Sequence, residues 1–78
     1  MYVYVLKSLK DGSHYVGLTA DIDKRLEQHN KAKNYSTKSK RPWMLIHVEI
    51  TENMTESRDV EKFFKSGYGR EIISEIEN

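Results

Sequence analysis

The chain has no cysteine and a single proline among its 78 residues. The missing thiols exclude a disulfide framework and a thiolate zinc site, leave stability to packing, and suit a reducing cytosol. Long apolar runs are missing too. The amino terminus, Met1-Tyr2-Val3-Tyr4-Val5-Leu6-Lys7, has no basic leader and falls far short of a membrane span. These absences predict a soluble, cytoplasmic protein with no membrane partner. Glycine is scarce, and Gly12 and Gly17 sit in a hairpin pattern rather than a phosphate-cradling loop, which argues against a nucleotide cofactor. His14, His29 and His47 lack the near-neighbour spacing of a zinc site. A chain of this length supports one domain, residues 1–78, with a thin core, because it buries only about 60% of its unfolded surface.

Net charge is also small, +1, which by itself opposes strong binding to a phosphate backbone. Its distribution says more. Lys31, Lys33, Lys38, Lys40 and Arg41 lie in one stretch without an acid, whereas Glu49, Glu52, Glu56 and Asp59 accompany only Arg58 in another. The basic stretch reads either as a solvated loop or as a nucleic-acid contact.

Residues 2–7 and 14–19 are rich in aromatic and β-branched types and flank Asp11-Gly12, a strong turn signal, so an antiparallel hairpin is expected. If paired residue numbers sum to an odd value, Tyr4 and Tyr15 share a face; an even sum separates them. Asp21 is a plausible cap for a helix ending near Asn30, on which Ile22 and Leu26 form the apolar stripe and Arg25 and His29 leave one face. After Pro42, residues 43–50 read as a strand with Met44, Ile46, Val48 and Ile50 on one face. Asn53 and Glu56 resemble a capping box opening a helix through Lys65 that carries Val60, Phe63 and Phe64 inward; Gly67 and Gly69 are expected to stop it. Ile72, Ile73 and Ile76 have the spacing of a terminal helix.

Tyr2-Val3-Tyr4, then Tyr15-Val16-Gly17, then Lys24-Arg25-Leu26-Glu27-Gln28-His29-Asn30 on a helix follow one another in order. Ser36-Thr37-Lys38, Arg41-Pro42 and Glu61-Lys62-Phe63-Phe64-Lys65-Ser66-Gly67 complete the series. Together these segments resemble the GIY-YIG nucleases, in particular the short stand-alone bacterial type. The resemblance implies an α+β fold, a three-stranded antiparallel sheet flanked by helices in the order β-β-α-β-α-α, which agrees with the elements read from periodicity. It also implies catalytic roles for Tyr4, Tyr15, Arg25, His29 and Glu61, with Glu61 holding one Mg2+ or Mn2+ ion, and a motif glycine at Gly17 where substrate or metal approaches the sheet. In that reading Arg25 clamps the scissile phosphate, Tyr4 activates water, Tyr15 positions phosphate or moves a second proton, and His29 assists.

Simpler roles exist for each residue. The tyrosines can be strand residues filling the core, Arg25 can pair with Asp21, His29 can be a helix-terminal charge, and Glu61 can pair with Lys65. The expected function is a metal-dependent endonuclease acting on nucleic acid, DNA before RNA, and on single-stranded or structured DNA. Residues 31–41 would hold the strand, with Tyr35 or Trp43 available for stacking unless Trp43 anchors the core. The alternatives are a catalytically silent nucleic-acid-binding domain and a module that recruits a protein partner in DNA repair or restriction.

Overall fold

The computed structural model describes residues 1–31 and 37–77. Gly12, at φ +80°, closes the first hairpin by donating its N–H to Ser8 O at 2.9 Å, while Asp11 Oδ1 accepts from Ser13 N. This left-handed position is open to glycine without steric cost. The turn joins β1 (Tyr2–Ser8) to β2 (His14–Thr19), with Tyr4 opposite Gly17 and Leu6 opposite Tyr15. The paired numbers have an odd sum, so Tyr4 and Tyr15 share a face.

β3 (Trp43–Ile50) pairs with the other side of β1, giving the antiparallel order β2-β1-β3. With α1 (Ile22–Asn30), α2 (Met54–Lys65) and α3 (Gly67–Glu77), the order is β-β-α-β-α-α, as the sequence implies. The expected caps form: Asp21 Oδ1 accepts from Lys24 N at 3.1 Å and Asn53 Oδ1 from Glu56 N at 2.9 Å.

Each sheet face buries its own cluster. Val3, Val5 and Val16 pack with Phe64 and Ile73 from α2 and α3, while Tyr4, Leu6 and Trp43 pack with Ile22 and Leu26 from α1. Each fully buried large side chain contributes about 1.5–3 kcal/mol relative to exposure. Two thin cores therefore sandwich β1, whose Val3, Val5 and Leu6 are fully buried.

Four details differ from the sequence reading. A bulge in β3 shifts the register between Val5, opposite His47, and Leu6, opposite Leu45. It breaks the expected alternation: Ile46 packs under α2 and α3, Val48 joins the α1 side, and Met44 and Ile50 are exposed. Phe63 is 42% exposed rather than inward, because neighbouring Phe64 takes the core position. Gly67 and Gly69 do not stop α2 but lie inside α3. The break falls at Ser66, which turns extended, donates its hydroxyl to Phe63 O and accepts from Gly69 N, so one side chain ends α2 and caps α3. Lys38–Lys40 forms a short 3-10 turn that the sequence reading did not anticipate.

A Cβ at Gly69 would lie 2.6 Å from Phe63 C and 2.7 Å from Phe64 Cα, against backbone that cannot swing aside, whereas Gly67 faces open space. Gly69→Ala is expected to destabilise the protein by about 1–3 kcal/mol. Gly67→Ala should change stability by less than about 1 kcal/mol. Urea midpoints of the two variants measure the difference, and equal midpoints would contradict the close helix-to-helix turn.

Candidate active site

The Tyr4 phenol crosses the sheet toward its edge. Its partner on edge strand β2 is Gly17, where an added Cβ would lie 2.6 Å from Tyr4 Cζ and 2.9 Å from Tyr15 Cε1. The glycine thus makes room for a protein side chain, beyond the approach of substrate or metal expected from the sequence. Tyr4 is 3% exposed, and its hydroxyl lies 3.0 Å from His29 Nε2. On the other side of that ring, Nδ1 lies 2.7 Å from Thr37 Oγ1.

His29 is therefore no helix-terminal surface charge. Its ring is fully buried, both nitrogens are engaged, and burial followed by the Arg25 guanidinium lowers its pKa. A neutral imidazole has one N–H and one acceptor, so the chain runs in one of two directions. Either Tyr4 donates to Nε2 and Nδ1–H donates to Thr37, or Thr37 donates to Nδ1 and Nε2–H donates to Tyr4.

Thr37 is the participant that sequence reasoning left without a role. Its side chain is buried, and its carbonyl accepts the Trp43 indole N–H at 2.9 Å. Asn30 ties the same region down, accepting from Trp43 N at 2.6 Å and donating to Trp43 O. Trp43, 5% exposed, is a core anchor and not a stacking platform. The available signal was Ser36-Thr37-Lys38, within the basic stretch and part of the motif series, but no helical or strand spacing ties Thr37 to His29.

Tyr15 packs on the same cluster, its ring centroid 4.9 Å from His29 and 6.2 Å from Tyr4. Burial drives the Tyr4 pKa well above its ordinary value. The neighbouring Tyr15 pushes it the same way, Arg25 opposes, and the Glu61 carboxylate raises it further. Tyr15, Arg25 and Glu61 thus act electrostatically on one hydroxyl, although they come from β2, α1 and α2. No carboxylate among the described residues lies within ion-pair distance of Arg25, so its expected alternative pairing with Asp21 does not form.

Glu61 faces a cavity of about 570 Å³ between the edge of β2 and the two C-terminal helices, which Tyr15 and His14 also line. Its side chain is 26% exposed and accepts from Lys65 Nζ at 3.1 Å, the pairing anticipated from their spacing. Among the described residues no three His, Cys, Asp or Glu side chains converge on a metal-sized site. The lining offers one carboxylate, Glu61, and the hydroxyl residues Tyr15 and Ser74 beside the cations Lys65 and Arg70. One carboxylate is enough protein ligation for a hard divalent cation that keeps much of its water and takes the rest of its shell from phosphate.

The basic residues are spread out. Lys31 pairs with Glu27 at 2.5 Å and Lys40 with Asp11 at 3.8 Å, both on the surface. Lys40 and Ser39 offer their carbonyls to Ser8 Oγ and Lys10 Nζ, which ties this segment to the hairpin turn. Lys38 stands in the same 3-10 turn and Arg41 follows it, exposed. Lys33, Tyr35 and Ser36 lie outside the described residues.

Two substitutions report on this geometry. Because the unfolded chain takes up a proton that buried His29 resists, stability should be full above about pH 6.5 and fall as pH drops below it. Urea midpoints between pH 7.5 and 5 should show this decline in the native chain and a smaller one in His29→Gln; parallel curves would contradict it. Asp11 and Glu77, both held low by hydrogen bonds from their neighbours, act only at more acid pH. Gly17→Ala should displace the Tyr4 ring, destabilise by about 1–3 kcal/mol, and move the His29 ring nitrogen resonances, which stay put if the phenol does not leave Nε2.

Comparison with known proteins places this arrangement in context. The family model described as "GIY-YIG catalytic domain" matches residues 1–73. A UPF0213 protein of Staphylococcus saprophyticus is 37% identical over 78 residues, covering 95% of this chain and 94% of that protein. A UPF0213 protein of Syntrophus aciditrophicus is 41% identical over 69% of this chain, and YazA of Bacillus subtilis, also a UPF0213 protein, 40% identical over 82%. These two matches span 63% and 65% of the relatives' own lengths. No solved structure gives a significant match.

Proposed function

The chain belongs to the GIY-YIG family, a nuclease superfamily, and from that premise we propose a metal-dependent endonuclease that hydrolyses phosphodiester bonds of DNA, with single-stranded or flapped DNA as the favoured form. The observation that carries this reading is the Tyr4 hydroxyl lying over Gly17 of edge strand β2, bonded to His29 and packed against Tyr15, within electrostatic reach of Arg25 and Glu61. Nothing among the described residues projects like a recognition helix for the major groove, which favours substrates whose backbone is accessible without reading base pairs.

Phosphodiester hydrolysis needs an activated water, neutralised phosphoryl oxygens and a stabilised leaving oxygen. Glu61 is the residue that would hold Mg2+ or Mn2+, and the ion supplies Lewis acidity toward a phosphate oxygen. Arg25, with no carboxylate within ion-pair distance among the described residues, presents planar donors to the same phosphate as charge develops. Tyr15 lines the cavity and its hydroxyl has no hydrogen-bond partner among the described residues, so it is available to position the phosphate.

Tyr4 enters as a neutral phenol because its surroundings oppose the phenolate. A neutral phenol acts as a base only by passing its own proton on. We assign it a relay: the attacking water gives a proton to Tyr4 oxygen as the Tyr4 proton moves to His29 Nε2, and the resulting hydroxide attacks phosphorus. The relay uses the tautomer in which Nε2 accepts from Tyr4 and Nδ1–H donates to Thr37 Oγ1. This keeps Tyr4 as the water-activating group and makes His29, whose lowered pKa favours prompt release, the transient proton acceptor. The exposed cations Lys38 and Arg41, with Lys31 and Lys40 exchanging their weak surface pairs for phosphate, would hold the flanking strand. Lys33 is assigned to the same stretch by sequence alone.

A second reading has two observations in its favour. Lys65 occupies the Glu61 carboxylate and Tyr4 is held neutral, as suits a domain that binds nucleic acid or recruits a protein without turnover.

End-labelled single-stranded, double-stranded and flapped DNA, beside RNA, separate these readings when incubated with Mg2+, Mn2+ or chelator. Arg25→Ala and Glu61→Ala should each lower cleavage by about a hundredfold or more, with circular dichroism unchanged. Metal-dependent product lost in both variants supports the nuclease; no product on any substrate, or undiminished product from both variants, gives the silent domain.

A further inference from the structure

The cavity beside Glu61 holds more positive charge than the catalytic set requires. Arg70 and Ser74 of α3 line it together with Lys65 and Glu61 of α2, and its volume of about 570 Å³ falls within the range of ligand sites. Lys65 already balances Glu61 at 3.1 Å. His14, the other basic side chain in the lining, is engaged by Glu77 at 2.5 Å. Arg70 is different: it is exposed, and among the described residues its side chain makes no ion pair or hydrogen bond. Its backbone N–H alone serves the fold, donating to Ser66 O. The cavity therefore carries an unspent guanidinium and a hydroxyl, the donor set that recognises phosphate oxygens.

Its position gives this charge a direction. α1, with Arg25, packs on one face of the sheet, and α2 and α3, with Glu61 and Arg70, on the other, while the Tyr4 hydroxyl reaches the β2 edge between them. We propose that Arg70, assisted by Ser74, binds a backbone phosphate of the nucleic acid adjacent to the scissile one. The strand then crosses the β2 edge with one arginine on each side. This inference rests on the nuclease reading for the identity of the strand, but the phosphate contact is measurable without turnover. Arg70 is a positioning residue: it fixes which phosphate stands before Tyr4, and it makes a polynucleotide a better substrate than an isolated diester.

The test reads binding in chelator, where no cleavage occurs. Anisotropy of a labelled single-stranded oligonucleotide is followed against salt for the native chain, Arg70→Ala, Arg70→Lys and Lys62→Ala; Lys62 removes the same charge from α2 outside the cavity lining. Arg70→Ala should bind roughly tenfold more weakly and lower the slope of log affinity against log salt by about 0.7, the value for one lost phosphate contact on a single strand. Arg70→Lys should keep the slope, and Lys62→Ala should match the native chain. Equal behaviour of Arg70→Ala and Lys62→Ala, or no measurable binding by the native chain, overturns the subsite. Arg70-dependent binding without metal-dependent cleavage would overturn the nuclease reading and leave the subsite standing, and the reverse pattern would do the opposite.

Discussion

The pairing of Tyr4 with Gly17 is the constraint on which the candidate site depends. A tyrosine on a central strand ordinarily stands perpendicular to the sheet with its hydroxyl seeking a partner above it. Here the neighbouring edge-strand position has no side chain, so the ring lies across it and delivers the hydroxyl toward the open edge. Slip the hairpin by one residue and Tyr4 would face a Val or Leu side chain while Tyr15 turned to the other face. The register is held by the Asp11-Gly12 turn and by Ser8, whose buried hydroxyl accepts from Lys10 N and Asp11 N and donates to Lys40 O. Hairpin turn, basic segment and site are in this way one hydrogen-bonded unit.

The electrostatic state of the site follows from burial. His29 and Tyr4 are both neutral because each is removed from water, and the short chain to Thr37 satisfies them without charge. Charge is kept on the partly exposed Arg25 and Glu61 instead, which oppose each other in their effect on the Tyr4 hydroxyl. A neutral interior with its opposite charges outside the core leaves no uncompensated buried ion in the resting protein.

Much of the fold was legible because periodicity and capping are local. The Asp21 and Asn53 caps, the hairpin turn and the hydrophobic spacing of α1 and α3 each depend on residues within a turn or two of one another. The misreadings share a cause. Strict alternation in β3 failed because a bulge reset the phase after Ile46, and Phe63 lost the core position to Phe64 because helix rotation is decided by what the sheet presents. Ser66, which ends one helix and caps the next, resembles an ordinary surface residue in the sequence.

By itself the sequence determined the element order, the turn, the caps and, through the spacing of its motifs, the family to which the chain belongs. It also named Tyr4, Tyr15, Arg25, His29 and Glu61 as the side chains to examine, on the strength of resemblance. Only the tertiary structure decided that Gly17 makes space for a phenol, that His29 is buried and neutral, that Thr37 completes its hydrogen bonds, and that the helices carrying Arg25 and Arg70 pack on opposite faces of the sheet. The division has a physical reason. Caps, turns and periodicity are set by interactions a few residues long, whereas protonation, room for a ring and the charge facing a cavity depend on atoms brought together from across the chain.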